Sequence, residues 1–190
     1  LKLLEAQWQV DRSFILKFLN KKIFSIANVP YRIKNDDEIL RDPKNTIDFD
    51  HTLHQKIMND IKKIGTDARL VLDKNQVIHV NMVEKLLVLQ LSKLSNFIPD
   101  GGIWLNTQRP EWNDANNALV GYGVSMVTLY YLNRYISFIN KVLANANETE
   151  FEISIEVFAW FKAINKIYER YSPIVNMKLD AVARKSFVIR

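Results

Sequence analysis

The chain reads as a mainly α fold, built of antiparallel helical hairpins with one small β-hairpin. Three observations predict this. Apolar residues recur at three- and four-residue spacing over several long stretches. Asp50 and Asn81 stand where helices would start, and Gly65 stands where one would stop. Finally, an alternating run from Arg69 to Val80 is interrupted by Lys74-Asn75, the pattern of a tight hairpin.

Taken in order, Leu3, Leu4, Trp8, Phe14, Ile15, Phe18 and Leu19 predict a first helix over 2–23. Pro30 and Pro43 bracket a polar connection that contains the acidic run Asp36-Asp37-Glu38. A second helix runs from Asp50 as its cap to Ile64, and Gly65 stops it. The hairpin follows, and then a leucine-rich helix over 82–96 that Asn81 can cap. Pro99-Asp100-Gly101-Gly102 is a turn. A long helix is expected over 115–146, apolar almost all the way round from Leu119 to Leu132, which is the pattern of a helix buried within a larger assembly. Glu148 to Tyr171 reads as another helix, and Pro173 separates it from a last segment at 174–187.

With 190 residues, the chain is long enough for one domain with a substantial core. Its net charge is +5, and the basic residues are spread over both ends rather than gathered in a patch, which argues against nucleic acid as a partner. The absence of cysteine excludes disulfides and thiolate metal sites without fixing the compartment. No apolar run reaches the roughly 18 residues of a membrane span, so no membrane partner is expected. The chain opens in helical rhythm without Met and stops on an apolar run, Phe187-Val188-Ile189 before Arg190. It is therefore expected to be a single helical unit, 1–190, belonging to a larger catalytic domain and packing on the rest of it.

The segment from Asn96 to Gly123 differs from everything around it. It holds four of the five glycines, two of the four tryptophans and two of the five prolines, and no lysine lies between Lys93 and Lys141. Flat rings cover the apolar faces of a pyranose, while amides and carboxylates bond its hydroxyls, so this mixture suits a sugar. The active-site-like part is 98–117. Trp104 and Trp112 are the candidate platform. Arg109, Asn113 and Asn117 are candidates for hydroxyls or an anion, and Gln108 and Asn106 are further hydroxyl contacts.

Within this loop, Glu111-Trp112-Asn113-Asp114-Ala115-Asn116-Asn117 resembles the Asp-Trp-Asn-Asp-Gly-Met-Asn motif of the cellobiose phosphorylase family. Trp112, Asn113, Asp114 and Asn117 match, Glu111 keeps a carboxylate, and Ala115 and Asn116 depart from the pattern. The resemblance covers seven residues. It implies an (α/α)6 barrel, a toroid of which this chain would supply about half, and cleavage of a glycosidic bond by a glycosidase or a glycoside phosphorylase. The substrate would be an oligosaccharide or glycoside, with phosphate as a second partner in the phosphorylase case and no cofactor.

Such cleavage needs a carboxylic acid that remains protonated and donates to the leaving oxygen. Glu111 and Asp114 are the two candidates. A helix starting just after Asp114 would favour its ionised form, whereas Pro110 and Trp112 would bury Glu111 and raise its pKa. Local physics thus points to Glu111, while the family pattern has acids at both positions. The alternative is a non-catalytic interaction domain in which Asp114 merely caps the helix, Glu111 pairs with Arg109, and both tryptophans are core. Elsewhere, His51 and His54 are spaced for a shared metal but lack a third ligand, so no metal is assigned. Gly121-Tyr122-Gly123 is only a fragment of a dinucleotide fingerprint, and the tyrosines at 130, 131 and 135 read as core.

Overall fold

The computed structural model describes residues 1–66, 69–106, 118–174, 177 and 179–188. The mainly α, toroid-like expectation is overturned. The described residues are 56% helix and 13% strand, and the strands form four small antiparallel sheets, so the architecture is mixed α and β.

The predicted first helix is two helices, α1 (Lys2–Val10) and α2 (Arg12–Leu16). Asp11 breaks it: its backbone is extended, and its carboxylate accepts from the amides of Ser13 at 2.9 Å and Phe14 at 3.3 Å, capping a new start. Beyond α2 the chain turns, and Leu19 is fully buried. Strand β1 (Phe24–Ser25) follows.

The polar connection at 30–43 is more ordered than its composition indicates. Strand β2 (Tyr31–Ile33) pairs with β3 (Ile47–Phe49), and between them stands α3 (Asp36–Arg41). Asn35 caps α3 by accepting from the Glu38 amide at 3.0 Å, and the acidic run fills its first turn, where the helix dipole favours it. Helix α4 (His51–Ile64) is capped by Asp50 and closed by Gly65 in the left-handed region, φ 73°.

The hairpin is shorter than the alternation suggests. Strands β4 (Leu72–Asp73) and β5 (Gln76–Val77) pair across Lys74-Asn75, which take φ values of 44° and 67° as a tight turn requires, and the Ile78 amide adds one further bond to the Val71 carbonyl at 3.0 Å. The next strand, β6 (His79–Val80), pairs instead with β1.

Helix α5 (Met82–Leu94) is the centre of the molecule. One side joins Trp8, Ile15 and Leu19 with Phe138, Ile139 and Val142 through Met82 and Leu86. The other packs Leu91 against Val157 and Ile164. This two-sided contact explains why the helix is leucine-rich on more than one face. Two polar residues at its start are also buried. Asn81 caps the helix by accepting from the Glu84 amide at 2.8 Å and donates to the Glu152 carbonyl at 2.6 Å. Glu84 accepts from the amide of Ser154 at 3.0 Å and from its hydroxyl. Ser154 makes no side-chain cap bond to the helix that follows it, and Glu84 holds this N-cap residue from a neighbouring helix.

A three-stranded sheet follows: β7 (Phe97–Ile98), β8 (Gly102–Trp104) and β9 (Val124–Ser125), in that spatial order. The long helix α6 therefore begins at Met126, not 115, and runs to Ala144. Two causes delay it. Gly121 adopts φ 81°, and Val124 and Ser125 are spent pairing with Trp104 and Ile103. Ser125 then caps α6 by accepting from the Thr128 amide at 3.1 Å. Helices α7 (Ile155–Tyr171) and α8 (Ala181–Val188) complete the chain. Phe187 anchors α8 by edge contacts at 5.9 Å to Phe97, 5.3 Å to Tyr168 and 5.1 Å to Tyr171.

Within this chain α6 is not buried on all faces. Leu132, Phe138, Ile139 and Val142 are buried, but Val127 is 66% and Tyr130 68% exposed, and Tyr131 is exposed too. Tyr135 belongs to the core side, where its hydroxyl donates to the Leu86 carbonyl at 2.9 Å and burial raises its pKa.

Candidate functional site

The three-stranded sheet holds the flanks of the candidate loop. Trp104 donates its backbone amide to the Asn96 carbonyl at 2.7 Å. Leu105 donates to the Gly123 carbonyl at 2.9 Å and accepts from the Gly121 amide at 2.8 Å. The Asn106 side chain donates to Asn96 Oδ1 at 2.6 Å, and its carbonyl accepts from the Thr46 hydroxyl. Leu105 and Asn106 on one side of residues 107–117 and Val120 and Gly121 on the other are thus held together in one stem. Val120 is fully buried, and a Cβ on Gly121 would lie 1.5 Å from the Pro43 carbonyl oxygen, so glycine is required for this approach.

Of the residues predicted for the site, Trp104 is the one whose surroundings are described. Glu111, Asp114, Arg109, Trp112, Asn113 and Asn117 lie outside the described residues, as does Gln108. Asn106, expected as a hydroxyl contact, has its amide group engaged with Asn96 within the stem.

Trp104 is half-buried. Its indole N–H donates to the Gly121 carbonyl at 3.0 Å, which fixes the ring without using its faces. The ring lines a cavity of about 420 Å³. Ile98, Pro99 and Gly101 of the β7–β8 turn line the cavity too, together with Ile39 and Leu40 of α3 and Ala181 of α8. Its lining charges are Asp36, Arg184 and Lys185. The volume is within the roughly 300–1,000 Å³ of small-molecule sites, and an apolar wall with a few charged groups is their usual composition.

These further lining residues escape a reading of the sequence for a physical reason. Asp36 to Leu40, Ile98 to Trp104 and Ala181 to Lys185 meet only through tertiary packing, and no local spacing announces a cavity shared by three distant segments. One signal was available in principle. Asn35 followed by three acids is a helix start, and recognising it places α3 as an element rather than a connection.

Among the described residues, His54 Nδ1 is buried without a hydrogen-bond partner. The Phe49 ring lies 4.9 Å from His51 and 5.4 Å from His54, and no group of three metal-ligating side chains occurs among the described residues. No known family model matches the chain, and no curated protein matches it. Among the described residues, no helix is long and apolar enough to cross a membrane.

Proposed function

We propose that this chain is a carbohydrate-active domain in which the 98–117 segment presents a sugar site and supplies a carboxylic general acid for glycosidic-bond cleavage. Glu111 or Asp114 donates the proton to the leaving oxygen. A second carboxylate, or bound phosphate in a phosphorylase, acts at the anomeric carbon. Trp104 and Trp112 form the platform, with Arg109, Asn113 and Asn117 on hydroxyls or an anion.

The observation that carries this reading is the placement of Trp104. Its ring lines a cavity of sugar-sized volume, its N–H donates to the Gly121 carbonyl, and it stands in the stem, three residues before the start of segment 107–117. A rigid sheet that carries a loop rich in polar and aromatic groups is a common way to position binding and catalytic residues. The motif at 111–117 adds the chemistry, and the toroid that accompanies that motif in its family forms no part of the reading.

The test is release of reducing sugar or sugar phosphate from di- and oligosaccharides, with and without phosphate, by the protein and its Glu111→Gln and Asp114→Asn variants. Loss of about 10²–10⁴-fold in one variant, with its melting temperature unchanged, is the expected result and identifies the acid. Phosphate dependence separates phosphorylase from hydrolase. No turnover across the panel, with both variants merely less stable, contradicts the enzyme reading.

That outcome would favour the second reading, a non-catalytic interaction domain. One observation supports it independently: Val127, Tyr130 and Tyr131 make an exposed apolar surface on α6. Large apolar surface left open to water marks a contact with another protein surface.

A further inference from the structure

We infer that the cavity beside Trp104 takes a sugar bearing an anionic group, a carboxylate or a phosphate, with Arg184 as the group that reads the charge. This rests on the carbohydrate reading above and names its ligand class. Arg184 is half-buried in the wall of an otherwise mostly apolar cavity, and Lys185 lines the same space. Neither has a carboxylate within ion-pair distance among the described residues.

A guanidinium that lines a mostly apolar cavity and has no carboxylate partner of its own among the described residues is open to bind an anion there. Guanidinium also suits this role by shape, because its planar fork matches a carboxylate or phosphate with two parallel hydrogen bonds. The third charged side chain, Asp36, forms no ion pair with Arg184 among the described residues. It is exposed at the start of α3 and is free to accept from a sugar hydroxyl. The ring of Trp104 supplies the apolar face on which a pyranose lies. The three requirements of an acidic sugar, a flat apolar surface, a hydroxyl acceptor and an unpaired cation, therefore come from β8, α3 and α8.

The cavity's position is fixed by contacts other than its own charges. Helix α8 is held by Phe187 against Phe97, Tyr168 and Tyr171. Arg184 lies three residues before that anchor, on the same helix, so its removal leaves the docking of α8 in place.

The experiment is titration calorimetry of the protein with glucose, glucuronate, glucose 6-phosphate and inorganic phosphate, repeated on Arg184→Gln and Arg184→Lys. Glucuronate or glucose 6-phosphate is expected to bind about tenfold or more tightly than glucose, as a charged hydrogen bond implies. Arg184→Gln removes that advantage and leaves the weak glucose affinity intact, while Arg184→Lys restores part of it. Which of the two anions is preferred distinguishes a carboxylate from a phosphate source. Equal affinity for glucose and the acidic sugars overturns the charge inference and leaves the carbohydrate reading standing. Inorganic phosphate binding as tightly as the sugar phosphate overturns it too, because the sugar ring then contributes nothing. Failure of every sugar, charged or neutral, overturns both.

Discussion

Asn81 shows how much a single polar side chain can settle. Its carboxamide is 1% exposed, and both of its ends are used: the oxygen caps α5 and the nitrogen ties that helix to the Glu152 carbonyl, 71 residues away. Asn81→Ala removes both bonds and leaves the Glu152 carbonyl and the Glu84 amide without these partners. A loss of about 2–4 kcal/mol is expected, combining a cap of about 1 kcal/mol with an unsatisfied group of about 1–3 kcal/mol. Urea unfolding of the two proteins measures it. Asn81→Asp separates the two roles, since a carboxylate still caps but cannot donate to Glu152. Its half of the site was legible in advance, because asparagine before an apolar periodic run is a helix start. The other half was not, because nothing local indicates a partner 71 residues on.

At the scale of elements, the contrast between two glycines separates backbone conformation from packing. Gly65 and Gly121 both have positive φ, at 73° and 81°. A Cβ on Gly65 meets nothing within 4 Å, whereas on Gly121 it would strike the Pro43 backbone. Gly65→Ala is therefore expected to cost about 1 kcal/mol, the left-handed penalty alone. Gly121→Ala is expected to cost more than about 2 kcal/mol, because the stem of the candidate loop must also move away from Pro43. Thermal unfolding of both variants checks the order, and equal losses would show that the stem tolerates displacement. The same glycines explain which elements were legible. Asp50 and Gly65 bound α4, a helix whose ends are chemically marked, and it forms where its pattern places it. The long helix expected from 115 shared its apolar rhythm with a segment that the left-handed Gly121 and the pairing of Val124 with Trp104 divert into a sheet. Strands of two or three residues are too short for alternation to reveal reliably, so three of the four small sheets were hidden inside what looked like helices and connections.

For the molecule as a whole, α5 joins two apolar clusters while the three-stranded sheet and α8 frame the cavity beside Trp104. The four tryptophans then become internal reporters of where a ligand goes. Trp8 is 3% exposed in the core, and Trp160 donates its N–H to the Ser95 hydroxyl at 3.0 Å. Trp104 lines the cavity, and Trp112 stands in the motif that carries the functional reading. The most direct measurement is the set of indole N–H signals of the ¹⁵N-labelled protein, assigned by Trp→Phe substitution and followed as pyranosides are added. A carbohydrate site at 98–117 predicts that the signals of Trp104 and Trp112 move in a saturable way while those of Trp8 and Trp160 stay fixed. Four unmoved signals at saturating sugar, or movement confined to Trp8 and Trp160, would contradict it.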